Sequence, residues 1–479
     1  MRSKALRLIS VIIVFLLLIP MVVACKKNGD ENSDTEISTE NGGYQNPVEV
    51  IDLGGKEYTF MTTLWYNYEP LNYVDIAPEG MTGDFVVDAS FERLSYIQET
   101  YNCKIVQVDC PTKEMLHKIE TNTMAGDEAY DFTFLRGLHY IAAINGGYLA
   151  QISEFDIDTS ASWWDQNAID TLTINKQNYG IIGDVTINHL MAVGILCFNK
   201  DMIAEHNLES PYDMVENGTW TFERVMRIAK NFAADNDGID GMSKKDLWGA
   251  NYTRDIIVNI LAANNIKIIT KNADGVPELT IGDYQGKVYD IFVKLFDETY
   301  CADTLNPLCL AEKSDTEIFD DEKCLFLFTA THNATALRNS KVKYGVVPYP
   351  KANDEGNYIS STAGNYLAIM SIPATNIDYH NAGVFLDAYA AFGQAKVRPM
   401  YYDNILLNRV SGQDMESYDM MKYIFENLTY DIGTVYDVAA MDIMDASKSL
   451  DVNFSGLVGA NRLIWKTELK ELLKAFGVK

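Results

Sequence analysis

"KEYTFMTT" (residues 56–63), "FVVDASFERLSYIQETYN" (85–102), "KIVQV" (104–108), "KEMLHKIETNTMAG" (113–126) and "YDFTFLR" (130–136) succeed one another in the first third of the chain. The first, third and fifth segments are short and rich in aromatic and β-branched residues, which is the pattern of strands, and the second and fourth carry apolar residues at helical spacing. The spacing predicts that Val87, Phe91, Leu94, Ile97 and Tyr101 share one helix face. The order is βαβαβ, and right-handed crossovers turn it into an open parallel sheet covered by helices. Such sheets bind ligands outside the carboxyl ends of their strands. Residues 63–67 after the first strand and 136–140 after the third are therefore the places to look for a site.

The residues before this unit read as export and tethering signals. Arg2, Lys4 and Arg7 precede an apolar run from Leu8 to Ala24 that is broken only by Ser10 and Pro20. The run falls short of the ~20 apolar residues that a spanning helix needs and has the layout of a secretory signal. Val22-Val23-Ala24-Cys25 resembles a bacterial lipobox, which implies cleavage before Cys25 and a lipid on its sulfur. Two acyl chains give stable anchoring where one is marginal. Residues 26–48 are almost wholly polar, with Ile37 and Tyr44 the only large apolar side chains before Val48. Such a segment is too polar to fold, and as a coil it reaches roughly 25 Å.

Composition sets the class of the remaining chain. The sequence has 67 acidic against 39 basic residues, a formal charge of −28, and loss of the leader removes three more positive charges. That excess argues against nucleic acid or an anionic lipid surface as partner. The 479 residues, 47% of them hydrophobic, exceed what one core usually supports, so two lobes are expected. Besides Cys25 there are cysteines at 103, 110, 197, 301, 309 and 324. Six in so long a chain form no disulfide scaffold. Cys103 and Cys110 stand roughly 23 Å apart if both lie on one strand and cannot bridge. Cys301 and Cys309 can either pair or remain buried thiols, and no spacing of Cys and His matches a zinc site.

"ILCFNKDMIAEHNLESPYDMVENGTWTFERVMRIAKNF" (195–232) resembles the hallmark segment of family 1 extracellular solute-binding proteins of ABC transporters. Phe198-Asn199-Lys200-Asp201, Pro211 and Thr219-Trp220 match that pattern in order. "ADNDGIDGMSKKDLWGANY" (234–252) is similar to the family's acidic turn before a Trp-Gly strand, and residues 319–351 are similar to the stretch that ends in Gly345-Val-Val-Pro-x-Pro-Lys351. "STAGNYLAIMSIPATN" (361–376) resembles the family's return crossing between lobes. The resemblance implies a two-lobed α/β, periplasmic-binding-protein-like fold with discontinuous lobes, a hinge and a central ligand cleft. Lobe 1 is expected to hold residues 49–190 and 362–396, and lobe 2 residues 191–361 and 397–479. It further implies a monomer on the outer face of the cell membrane that passes a solute, most often a sugar or oligosaccharide, to permease subunits, with no cofactor and no metal.

A sugar cleft calls for aromatic faces against C–H surfaces and planar polar groups for hydroxyls. Trp65, Tyr66, Trp248 and Tyr252 are the expected aromatic contacts, with Arg136, Asp184, Asn188, Thr331, His332 and Asn365 as polar ones. Trp248 follows Leu247 and can equally be core, and His332 can be a hydrogen-bonded loop residue. Trp163-Trp164 can be a cleft wall or a surface turn packing on its lobe, and the turn is the favoured reading. The Asp-rich stretch 235–246 fails the calcium-loop register, because positions 6 and 12 from Asp235 are Asp240 and Asp246 rather than Gly and Glu; a solvated turn is the simpler reading. A lipid-anchored glycoside hydrolase is the rival function. The acidic residues it needs are abundant, but abundance is no evidence, and no Gly-x-Ser-x-Gly, phosphate-loop or His-Glu-x-x-His motif occurs. The tether is testable on its own: Cys25→Ala is expected to abolish labelling by a fatty-acid probe and to release the chain from washed membranes, and equal labelling of both forms would contradict it.

Overall fold

The computed structural model describes residues 44–64, 72–238, 241–252, 256–302, 315–334, 336–337, 340–362, 366–406, 415–449 and 452–478. All of these belong to one compact unit that begins at Tyr44. Cys25, Trp65, Tyr66 and Asn365 lie outside the described residues. None of the described helices is long and apolar enough to cross a membrane.

Ten strands build two five-stranded sheets. In chain order they are β1 (Lys56–Leu64), β2 (Cys103–Pro111), β3 (Phe132–Leu135), β4 (Gly180–Ile181), β5 (Gly194–Asn199), β6 (Trp248–Tyr252), β7 (Cys301–Ala302), β8 (Cys324–Ala330), β9 (Tyr344–Val347) and β10 (Ile369–Ser371). The first sheet has the order β2-β1-β3-β10-β4 and the second β9-β5-β8-β6-β7. The βαβαβ reading holds: β1 runs parallel to β2 from Lys56↔Cys103 to Leu64↔Pro111, and parallel to β3 at Phe60↔Phe132. Strand β10 then joins antiparallel to β3, which makes the sheet mixed. Cys103 and Cys110 are buried, unbridged thiols on β2, and so is Cys301 on β7; Cys309 lies outside the described residues.

Helix α1 (Phe85–Tyr101) starts where Asp84 accepts the amides of Val86 and Val87, and it ends at Asn102 in the left-handed region. These are the expected N-cap and C-cap devices. Its buried face differs from the sequence reading. Val86, Ala89, Ser90, Arg93, Leu94, Ile97 and Tyr101 are buried, whereas Val87 and Phe91 are only partly covered. The helix is rotated because Arg93, which a hydrophobic pattern places outside, points inward with no exposure at all.

The hallmark segment owes its residue types to caps and close packing. Asn199 ends β5 and caps the helix Lys200–Glu205 by accepting the amide of Met202. Pro211 opens the next helix, where a missing N–H costs nothing. Trp220 is buried and donates its indole N–H to Pro348 O at 2.9 Å, and it is Thr221, not Thr219, that caps the helix Phe222–Phe232. A Cβ on Gly345 would meet the Tyr212 hydroxyl at 2.3 Å, which explains a glycine inside β9.

Three segments link the two halves of the chain's architecture: residues 182–193 from β4 to β5, the stretch from β9 to β10, whose described parts are 348–362 and 366–368, and a π-helical turn, Gly393–Val397, that joins the helices Tyr379–Phe392 and Arg398–Leu406. Arg93 grips the first of them. Its guanidinium donates to the carbonyls of Asp184 (3.2 Å), Val185 (3.0 Å) and Asp75, lies 3.8 Å from the Asp75 carboxylate and sits 4.0 Å above the Tyr389 ring. Asp75 in turn accepts the Ile187 amide at 2.8 Å and the Thr186 hydroxyl at 3.0 Å. On the other side, a Cβ at Gly393 would fall 1.9 Å from Asp184 O. Arg93→Met strips a buried charge of its partner and is expected to cost about 3–5 kcal/mol, read as a fall in urea midpoint; a loss under 1 kcal/mol would deny Arg93 this role.

Candidate functional site

Parallel strands of both sheets aim their carboxyl ends at the region between the sheets. In the first sheet, β1 leads into residues 65–71, outside the described residues, and β3 leads into Arg136. In the second, β6 leads into residues 253–255, also outside them, and β8 leads into the short helix Thr331–Ala334. Strand β10 runs the other way, so its preceding residues, Tyr366 to Ala368, arrive at the same place.

Arg136 is the centre of what is described there. It lies within electrostatic reach of Asp437, Tyr366 and Tyr73, and burial holds its guanidinium below its ordinary range despite Asp437. Gly137, at φ 20°, abuts the turn at Tyr436–Ala439 so closely that a Cβ would meet the Asp437 Cβ at 2.9 Å. That turn places two non-glycine residues, Asp437 and Ala439, at φ 60° and 64°, a conformation that costs energy and collects at binding sites. Burial raises the Asp437 carboxyl to about 6, with Arg136 pulling against the rise. The ring of His332 stands 5.6 Å from that of Tyr366. Arg136, Tyr366, His332 and Asp437 thus come from four separate chain segments.

The other expected residues divide by where their side chains go. Thr331 donates to Leu190 O, and the Val193 amide donates back to its hydroxyl; His332 Nδ1 lies 2.7 Å from Met191 O. Both therefore fasten the first crossing segment. Asn188 is buried beside it and accepts the Ala368 amide at 3.2 Å. Trp248 and Tyr252 need correction. Each is 1% exposed on a strand buried on both faces, Trp248 donates its indole N–H to Ser243 O, and Tyr252 stacks over Phe296. Neither ring has an exposed face, because both faces of the sheet at β6 are covered by packed side chains. In the Asp-rich turn, Asp246 accepts the amides of Asn236 and Ser243, and Asp235 those of Asp237 and Gly238, so these carboxylates serve the turn itself.

Asp184 faces another way. Its carboxylate is 3.2 Å from the Arg398 guanidinium and lines a cavity of about 610 Å³ that shares no residue with the Arg136 cluster. Burial raises Asp184 to about 6 in spite of Arg398. Trp163 and Trp164 both donate their indole N–H to Asp387 Oδ1, at 2.9 and 2.7 Å, which pins the turn to its lobe as expected; Trp163 and Trp164 also line the cavity. Tyr366, Asp437 and Arg398 escaped the sequence reading. Tyr366 sits next to the expected Asn365, and Arg398 just past the expected third crossing near 396, whereas Asp437 has no local signal.

No family model and no curated protein matches the sequence. Solved structures do. A substrate-binding protein of an ABC transporter from Listeria monocytogenes, in complex with cycloalternan, aligns over 89% of this chain and 100% of its own, at 14% identity and a TM-score of 0.55. A sugar transporter protein from Rhizobium etli, in an open conformation, aligns over 88% and 99%, at 14% identity and 0.56. A cyclo/maltodextrin-binding protein complexed with maltotetraose aligns over 89% and 98%, at 13% identity and 0.54.

The sign of the Asp437 shift gives a pH test. Its folded value, about 6, lies above the unfolded ~3.9, so the ionised form costs stability above pH 6, and the cost disappears as pH falls towards 4. The melting temperature of Asp437→Asn relative to the parent is expected to be highest above pH 6 and to fall on acidification; a pH-independent difference would contradict this. Across nearly its whole length, the chain has the two-lobed α/β fold of the sugar-binding proteins of ABC transporters.

Proposed function

We propose that the chain is the solute-binding component of an ABC importer, held outside the cell membrane by lipid on Cys25, which closes its lobes over a sugar or oligosaccharide and delivers it to permease subunits. The observation that carries this reading is the meeting of Arg136, at the end of β3, with Tyr366, His332 and Asp437 between the two sheets. Taking lobe 1 as 49–190 with 362–396, and lobe 2 as 191–361 with 397–479, keeps every strand of each sheet within one lobe. The named ligands of the structures with this fold, cycloalternan and maltotetraose, support the carbohydrate class.

In this reading Trp65 and Tyr66, directly after β1, supply the flat faces, and Arg136 and Asn365 the hydroxyl partners. A guanidinium below its ordinary range, next to a carboxyl that burial raises, is a donor–acceptor pair already stripped of water. It loses little further hydration when a hydroxyl replaces the last solvent. Capture without chemistry is the expected outcome. An oligosaccharide mixture incubated with stoichiometric protein should yield, by native mass spectrometry, complexes of intact glycan, and Arg136→Ala should weaken the best of them by about 1–3 kcal/mol. Shortened glycans above a boiled control would favour the hydrolase reading.

A further inference from the structure

The cavity beside Asp184 is separate from the cleft around Arg136. It is walled on one side by the 162–167 turn of lobe 1 and on the other by the helices Arg398–Leu406 and Met415–Glu426. Its volume, about 610 Å³, falls within the range of small-molecule sites. Tyr402 and Phe425 stack in its wall with ring centres 5.1 Å apart and planes 16° apart, and the Trp163 indole lines it too. The Arg398 guanidinium is spread between the Asp184 carboxylate and the Tyr402 hydroxyl, at 3.2 and 2.7 Å.

One lining group is left with chemistry to spare. His189 is 3% exposed, and its Nδ1 lies 3.0 Å from the carbonyl oxygen of Thr186, so that nitrogen carries the hydrogen and donates it. Burial lowers the imidazole to about 3, which keeps it neutral. Its Nε2 therefore presents a lone pair, and Asp184 Oδ1, 4.0 Å away, is another acceptor. Two acceptors side by side in the lining of a cavity are suited to hydroxyl donors of a ligand.

We propose that this cavity is a second ligand site, specific for a small neutral polyol such as a monosaccharide. A hydroxyl is both donor and acceptor: the hydroxyls of a polyol donate to His189 Nε2 and to Asp184, and accept from Lys422 on the wall formed by the helix Met415–Glu426. The aromatic wall takes the C–H face of the ring. A cation would meet Arg398 and Lys422, and an anion would meet Asp165, Asp184 and Glu426, so the balance of the lining selects against either. The site does not depend on the cleft reading, because the two share no residue.

The test uses the full chain with D-glucose, D-galactose and myo-inositol as probes, read by saturation-transfer NMR and tryptophan fluorescence. Lys422 and Glu426 are 61% and 60% exposed at the rim, so Lys422→Ala and Glu426→Trp together remove a donor and plug the mouth without touching the core. At least one probe is expected to bind; the plugged variant should weaken it about tenfold or more, with an unchanged melting temperature, and Arg136→Ala should leave it intact. If the plugged chain melts early, Lys422→Ala alone, read against the same probe, serves in its place. Three results would each overturn the proposal: no binding of any probe, binding that survives the plug and is lost in Arg136→Ala, or tighter binding of ethanolamine or acetate than of every polyol.

Discussion

A guanidinium with no contact with water holds the first crossing segment of this protein. Arg93 spends its donors on the carbonyls of Asp184, Val185 and Asp75, and the Asp75 carboxylate closes the loop on Thr186 and Ile187. Burying such a pair is expensive and rarely the cheapest way to gain stability. What it supplies is position. Strands β4 and β5 belong to different sheets, and the chain between them has irregular backbone whose polar groups need fixed partners. Arg93 provides them from the helix that follows β1, and Thr331 and His332 provide them from the end of β8. Gly393 lets the third crossing press against the same carbonyl of Asp184. The first and third crossings thus meet at one polar knot.

The consequences divide on the two sides of that knot. On one, the carboxyl end of β3 delivers Arg136 to the gap between the sheets. On the other, Asp184 and Arg398 pair at 3.2 Å in the lining of the cavity. A ligand that bridges either opening has differential affinity for the open and closed forms, which is what a binding-driven closure requires. The same crossing residues fix how the two sheets are joined, and in the proposed function they are where closure over a solute would turn.

Much of this was legible in the sequence, and the failures have physical causes. The βαβαβ unit could be read because strand and helix periodicities are local. The hallmark segment could be read because Asn199 and Pro211 do local work as cap and helix opener. Trp248 and Tyr252 were misplaced because the end of a strand marks a cleft only when the side chains there are not already packed from both faces. Arg93 was missed because a single inward charge is invisible to hydrophobic periodicity; only its partners, 91 and 18 residues away in the chain, reveal it. Asp437 was missed for the same reason: its turn meets Gly137 through tertiary packing alone.

The most direct test of capture between two lobes is a crystal structure of the chain with the tightest-binding oligosaccharide from the mixture. Unbroken glycan density is expected between the ends of β1 and β3 on one side and those of β6 and β8 on the other, in contact with Arg136 and with at least one residue of lobe 2. Density confined to the surface of one lobe, or a cleaved glycan in the gap, would contradict the account.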